Sequence, residues 1–233
     1  MNEPTPSMRN RRRIPLPLLI AGIAVICLAL AAGGFLAARR ISSRRQNAEV
    51  AEDTDPGWNA PSYVTYKPLF VNEYSRPGTA LDAINAVVVH YVGNPGTTAE
   101  QNRSYFNGLA RSGETWASSH FLIGLDGEVL QNVPLDEVAY CSNERNYDTV
   151  SIECCHPEAD GKFTDATYSS LVNLLRDLCK EYGLDPKTDI IRHYDVTGKL
   201  CPLYFVEHED EWYGLLDRVD EAIKLSDTAS VSP

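Results

Sequence analysis

From residue 66 to residue 225 the chain switches between two hydrophobic periods. Residues 84–91 contain an unbroken apolar run, Ala86-Val-Val-Val89, rich in β-branched side chains, which predicts a fully buried strand. Residues 119–125 and 128–133 flank Asp126-Gly127, the strongest hairpin signal in the sequence. Residues 150–155 and 190–193 predict two more short strands. Elsewhere the spacing is helical. Over 164–182, Tyr168, Leu171, Leu174, Leu175 and Leu178 recur on one face, and Gly183 is a stop signal. Over 207–225, Trp212, Leu215, Leu216, Val219 and Ile223 do the same. Thr98-Ala-Glu-Gln101 has the capping-box pattern, so a helix is expected from there to about Arg111. Arg76-Pro-Gly78 and Asn94-Pro-Gly96 read as turns. This order of elements predicts an α/β domain, a mixed central β-sheet flanked by helices.

The N-terminal pattern is of another kind. Residues 14–38 hold no charged side chain. That is about 25 residues, or roughly 37 Å as a helix, enough to cross a hydrocarbon core of about 30 Å. One transmembrane helix is therefore expected ahead of the α/β domain, with Pro15 and Pro17 tolerated in its first turn. Ala29-Leu-Ala31 resembles a signal-peptide cleavage site, but the apolar run continues well past it, which favours an uncleaved anchor. Arg9, Arg11, Arg12 and Arg13 precede the run, and Arg39, Arg40, Arg44 and Arg45 follow it, so charge alone does not orient it. The expected organisation is a basic tail over 1–13, the anchor over 14–38, a polar linker over 39–65, a folded domain over 66–225 and a small polar tail over 226–233.

The formal charge of -11 is unevenly spread, +3 over residues 1–58 and -14 over 59–233. An acidic folded part argues against nucleic acid as a partner, because phosphate binding needs clustered Lys and Arg. The six cysteines have no regular spacing that would suggest a disulfide framework. Cys154 and Cys179 read as free buried thiols.

Candidate chemistry concentrates in Ile190-Ile-Arg-His-Tyr-Asp-Val-Thr-Gly-Lys-Leu-Cys-Pro202, which begins like a buried strand end and turns into a loop at Thr197-Gly198. Pro202 is expected to block an immediate helix. A turn between His193 and Cys201 can fold the thiolate back beside the imidazole, and these are ligands that zinc prefers. A catalytic zinc needs three protein ligands and an open position, and His90, at the end of the first strand, is the best third candidate. This requires the two strand ends to be spatial neighbours. Glu153 sits within a short apolar strand, where a carboxylate is costly to bury without a partner. It reads either as a solvent-facing glutamate or as a general base beside a metal-activated water. Lys199 reads either as a solvated loop lysine or as an oxyanion stabiliser. Without metal, His193 and Cys201 could be a core histidine and a buried thiol, or a Cys/His nucleophile pair with Asp195 as orienter. His120 is a possible ligand but reads better as a satisfied structural histidine, and His156 and His208 read as solvated.

Four blocks taken together resemble one family: Val-Val-Val-His-Tyr-Val-Gly-Asn-Pro-Gly from Val87, Ser-Ser-His-Phe-Leu-Ile-Gly-Leu-Asp-Gly from Ser118, Ser-Ile-Glu from Ser151, and Arg-His-Tyr-Asp-Val-Thr-Gly-Lys-Leu-Cys-Pro from Arg192. The combination is similar to the type 2 N-acetylmuramoyl-L-alanine amidases, which share a fold with phage amidase-type lysozymes and peptidoglycan recognition proteins. The resemblance covers roughly residues 70–225. It implies one zinc ion held by His90, His193 and Cys201, with Glu153 as the acid/base and Lys199 stabilising the oxyanion. It implies cleavage of the amide between N-acetylmuramic acid and L-alanine in peptidoglycan. Where some relatives carry a tyrosine before the His-Phe pair, this chain has Ser119. Where some have Trp-His in the substrate wall, it has Tyr140-Cys141, which leaves Tyr140 and Asn143 as candidate substrate contacts. Alternatives on the same scaffold are a membrane-tethered peptidoglycan-binding module, a stem-peptide endopeptidase and a thiol-nucleophile hydrolase. Binding-only members typically lack the cysteine ligand, so Cys201 speaks for an enzyme. A peptidoglycan substrate further implies a single-pass protein with its catalytic domain on the extracytoplasmic side.

Overall fold

The computed structural model describes residues 55–231. The expected anchor over 14–38 and the basic tail before it lie outside the described residues. Among the described residues, no helix is long and apolar enough to cross a membrane.

Six strands form one mixed sheet: β1 (Val64–Tyr66), β2 (Ala86–Tyr91), β3 (Phe121–Ile123), β4 (Val129–Gln131), β5 (Thr149–Cys154) and β6 (Ile190–Arg192). Their order is β1-β4-β3-β5-β2-β6. Only β3 and β4 run antiparallel, across the Asp126-Gly127 turn, and the remaining neighbours are parallel. Gly127 has φ +84, and a Cβ there would meet the Ala166 carbonyl at 2.9 Å, so the turn requires glycine twice over.

The helices are α1 (Ala99–Ser112), α2 (Asp165–Tyr182), α3 (His193–Thr197), α4 (Leu203–Glu207) and α5 (Glu209–Val231), with a 3-10 turn at Asn143–Tyr147. The capping box of α1 is complete: Gln101 N–H donates to Thr98 Oγ1 at 3.2 Å, and Thr98 N–H donates to Gln101 Oε1 at 2.9 Å. Thr164 caps α2, and Gly183 ends it in the left-handed conformation.

The two faces of the sheet differ, which decides where chemistry can sit. Val87, Val89, Phe121, Ile123, Val150 and Ile152 pack with Leu171, Leu174, Leu175 and Leu178 of α2 and Trp212, Leu215, Leu216 and Val219 of α5. Each such fully buried aliphatic side chain contributes about 1.5–3 kcal/mol relative to exposure. On the other face, Leu122 and Leu130 pack under Phe106 and Leu109 of α1. On β2 and β5 this face turns polar towards the strand ends, where His90, Ser151 and Glu153 follow the buried Val88.

The structure departs from sequence expectation in several places. β1 was not anticipated, since its burial alternates weakly over three residues. The folded unit also reaches back into the expected linker. Gln131 donates to the Pro56 carbonyl at 2.6 Å and accepts from Trp58 Nε1 at 2.9 Å, while the Trp58 ring meets Phe121 edge-on at 5.9 Å. The last helix runs to Val231, past the expected start of the tail. Pro202 does not exclude a helix; it is the N-cap of α4, a place where the missing N–H costs no intrahelical bond. His156 is buried and not solvated, packed on the Tyr91 ring at 5.0 Å with its Nδ1 on the Glu158 carbonyl at 2.7 Å.

Candidate active site

Parallel pairing brings the three decisive segments together. β2 lies between β5 and β6, with His90 opposite Glu153 and Val89 opposite Arg192. Residue 193 therefore leaves β6 level with His90, and the required neighbourhood of the two strand ends is met. The α3 turn then returns the chain, with Tyr194 N–H donating to the Cys201 carbonyl at 2.9 Å. The outcome is a group formed by His90, His193 and Cys201, whose potential ligand atoms all lie within 4.8 Å of one another.

Both imidazoles are oriented by partners on the far ring nitrogen. His193 Nε2 lies 2.9 Å from Asn143 Oδ1, an acceptor, so Nε2 carries the proton and Nδ1 is the lone-pair nitrogen. That Nδ1 is buried and has no hydrogen-bond partner. Asn143 reaches it from a left-handed backbone, φ 54, which asparagine tolerates better than most residues. His90 Nε2 lies 3.2 Å from Ser142 Oγ, and His90 Nδ1 lies 3.7 Å from Cys201 Sγ. A nitrogen and a sulfur on one tetrahedral zinc would stand about 3.6 Å apart. Burial, reinforced by the neighbouring His193 and Lys199, holds His90 well below the usual imidazole range. Burial and then Lys199 also lower His193. Both rings are thus neutral, the form that ligates. Burial and the charge of Glu153 push the Cys201 thiol up to about 12, against a backbone N–H of Tyr91 and the ammonium of Lys199. A buried thiol of that kind ionises when a cation is beside it. An orphaned Nδ1, a second Nδ1 turned to sulfur and a two-nitrogen, one-sulfur donor set together fit a zinc ion.

Glu153 is held differently. Its Oε1 accepts from Cys141 Sγ at 3.6 Å, and its Oε2 is buried with no partner. Burial raises its pKa to about 8, with Cys141 and Lys199 opposing. It is not the solvent-facing glutamate of the plainer reading. It lines a cavity of about 340 Å³ with Val92, Asn94, Thr97, Gln101, Asn102, Tyr105, Phe106 and Ala117, so α1 forms one wall of the space in front of the carboxylate. A cavity of about 400 Å³ between α2, α4 and α5 includes none of the clustered ligands in its lining.

Lys199 is exposed, and its charge acts on His90, His193, Glu153 and Cys201 alike. Tyr140 is half-buried, its N–H donating to Ser118 Oγ at 2.9 Å. Asn143 spends its Oδ1 on His193, a member of the candidate ligand group. Asp195 does not orient a nucleophile. Its two oxygens take the Arg192 guanidinium, Oδ1 at 2.8 Å and Oδ2 at 3.1 Å.

A family profile described as N-acetylmuramoyl-L-alanine amidase matches residues 80–203, more than half of the chain. The chain belongs to this amidase family. All of the site described above falls within the matched stretch. Among curated members, the N-acetylmuramoyl-L-alanine amidase BlyA of Bacillus subtilis (strain 168) is 31% identical over 192 residues, covering 74% of this chain and 51% of BlyA. A probable N-acetylmuramoyl-L-alanine amidase of Bacillus licheniformis is 36% identical over 174 residues, 70% of this chain and 48% of that protein. The chain thus spans about half the length of the curated relatives it matches. Among solved structures, a mutant endolysin from Bacillus subtilis superposes with a TM-score of 0.57 at 25% identity, over 67% of this chain and 97% of that one. The PlyG catalytic domain superposes equally well, with a TM-score of 0.57, at 22% identity, which speaks for the fold alone.

Sequence reasoning missed the supports of the candidate ligand group. Ser142, Cys141 and the role of Asn143 lie in an aperiodic loop that carries no spacing signal. His120, by contrast, is the structural histidine expected. It is fully buried, with Nε2 on the Glu137 carbonyl at 2.9 Å and Nδ1 against Ser151. Burial lowers its pKa to about 4. The folded value lies below the unfolded value of about 6.5, so the unfolded chain takes up the proton first. His120's contribution is therefore full above about pH 6.5 and is lost as pH falls towards about 4, reaching about 3 kcal/mol. Urea unfolding at pH 7 and pH 4.5 should show a steeper acid loss for the wild type than for His120→Asn. Equal losses would refute this account of His120.

Proposed function

We propose that this chain is a zinc-dependent hydrolase that cleaves the amide between the lactyl group of N-acetylmuramic acid and L-alanine in peptidoglycan. One observation carries the reading. His90, His193 and Cys201 converge near Glu153, whose Oε2 is buried and unpartnered. Membership of the amidase family supplies the bond, and the whole candidate site lies in the stretch shared with relatives of that name.

His90, His193 and Cys201 would hold a zinc ion, which would supply Lewis acidity for activating water and polarising the scissile carbonyl. The remaining work falls to the chain's own groups. Glu153 takes a proton at Oε2 from the attacking water and returns one to the departing L-alanine amine. Its burial favours the protonated carboxyl and Lys199 favours the carboxylate, an opposition that suits a group working in both directions. The Lys199 ammonium faces the negative charge that develops on the carbonyl oxygen. Asn143 keeps the Nε2 proton of His193 in place, and Ser142 engages His90 Nε2, so both rings turn Nδ1 towards the proposed metal site. The cavity along α1 receives the stem peptide, with Val92, Phe106 and Ala117 shielding Glu153 from bulk water.

We place this domain on the extracytoplasmic side of the membrane, tethered by residues 14–38. The support is the uncharged run with arginines on both flanks, together with a substrate that lies outside the cell membrane. One experiment addresses substrate, metal and tether together. The full chain is incubated with purified sacculi, untreated, chelated, or chelated and resupplied with zinc, and released fragments are read by mass spectrometry. Free stem peptides with an L-alanine amino terminus should appear, vanish on chelation and return with zinc. The same chain should float with phospholipid vesicles, and a chain lacking residues 1–38 should not. Fragments cut within the stem would mean an endopeptidase. Release that survives metal removal would mean a thiol nucleophile. Sacculus binding without release would mean a binding module. A full chain that stays out of the vesicle fraction would remove the anchor.

A further inference from the structure

Behind Glu153 runs a file of buried polar groups that the metal chemistry does not use. Cys141 sits in the loop between β4 and the 3-10 turn, and its Sγ approaches Glu153 Oε1 at 3.6 Å. That loop is pinned. The backbone N–H groups of Cys141 and Ser142 both donate to Asn146 Oδ1, at 3.0 and 2.6 Å. On its other side the Cys141 sulfur has a hydrogen bond from the Ser151 side chain. Ser151 Oγ in turn accepts from the His120 backbone N–H at 3.2 Å.

Proton directions along this file can be assigned. His120 Nε2 lies 2.9 Å from the Glu137 carbonyl, which only accepts, so Nε2 carries the ring proton. His120 Nδ1 is then an acceptor, and the Ser151 backbone N–H fills its single lone pair at 3.0 Å. The Ser151 hydroxyl accepts from His120 N–H and lies 3.0 Å from His120 Nδ1, and it also bonds the Cys141 sulfur. Cys141 directs its S–H at Glu153 Oε1. Burial favours the neutral thiol, the form that can donate. The file ends on one carboxylate oxygen and leaves the other, Oε2, without a partner.

We propose that Cys141 is a positioning residue for Glu153: its thiol holds Oε1 and so presents Oε2 to the reaction, with Ser151 and His120 aiming the thiol from behind. The proposal rests on Glu153 acting as the proton carrier. Two other roles are open to Cys141. It could be a packing thiol, or it could join His90 and Glu153 as a metal ligand, since those three also present ligand atoms within 4.8 Å of one another.

The test uses the full chain as wild type, Cys141→Ala, Cys141→Ser, Glu153→Gln and the Cys141→Ala/Glu153→Gln double variant, with kcat, KM and zinc per chain measured for each. Loss of one hydrogen bond to a charged acceptor in the reacting geometry should lower kcat of Cys141→Ala by about tenfold, with KM changed less than about twofold. Zinc per chain should not change. Cys141→Ser, which keeps a donor, should recover most of the lost kcat. In the Glu153→Gln background, Cys141→Ala should have little further effect, because the two residues act as one unit. A wild-type kcat in Cys141→Ala, or no recovery in Cys141→Ser, would overturn the positioning role in favour of packing. Loss of zinc in Cys141→Ala would overturn it in favour of ligation. A Glu153→Gln chain with normal turnover would remove the proton-carrier reading and the proposal with it, a failure visible without reference to Cys141.

Discussion

Glu153→Gln should lower turnover on peptidoglycan by about 10²–10⁴-fold, or about 3–5 kcal/mol in the barrier, while leaving one zinc per chain. Glutamine matches the shape of the carboxylate and keeps an oxygen where Cys141 donates, so packing and the hydrogen bond at 3.6 Å survive. What disappears is the group at Oε2 that can hold a proton. A merely structural glutamate at this buried position would show its loss as a lower unfolding midpoint with kcat nearly intact. The paired measurement is the release rate of stem peptides and the zinc content by mass or absorption analysis. Near-normal release would show that another group moves the proton. Zinc loss would show that Glu153 belongs to the ligand set.

His193→Ala and Cys201→Ser should each abolish stoichiometric zinc at metal concentrations that saturate the wild type. Outer-shell partners of a ligand typically control about 10–100-fold in metal affinity, and a ligand itself controls more. Asn143, on the far nitrogen of His193, provides that smaller benchmark within the same site. Stability should report the loss independently of activity. A ligand bound only by the folded state at 1,000 times its dissociation constant adds about 4 kcal/mol. For a domain of this size that is a rise of roughly 8–16 °C in unfolding midpoint on adding zinc to the stripped wild type. In either variant the rise should collapse. A rise undiminished in Cys201→Ser would remove the sulfur from the coordination sphere.

The parts of this architecture that repeat were legible in the sequence. Val87 and Val89, Leu171 to Leu178, and Trp212 to Val219 lie on the core that their spacing predicted, because a single periodic face had one sheet surface to cover. His90, His193 and Cys201 were legible as chemistry but not as neighbours. Their meeting depends on β2 pairing with β6 across about a hundred residues, a register that no local pattern encodes. Glu153 was ambiguous for a physical reason. Alternation along β5 puts it on the face away from the main core, and the sequence does not say whether that face meets water or a loop. The covering loop was the least legible element. It is positioned through the buried Arg76–Glu137 ion pair, 2.6 Å and 61 residues apart, and through side-chain bonds to Asn146. Such contacts follow from the finished fold and leave no period to read.

The distance along the chain between His90 and Cys201 has a consequence for biosynthesis. Until β6 has emerged and docked against β2, a growing chain would own one of the three proposed ligands and would not hold the proposed metal. Pairing of that separation also comes late in folding, since the loop must close before the contact rewards it. The proposed wall-cutting activity would therefore be withheld from any nascent chain that has not yet made Cys201.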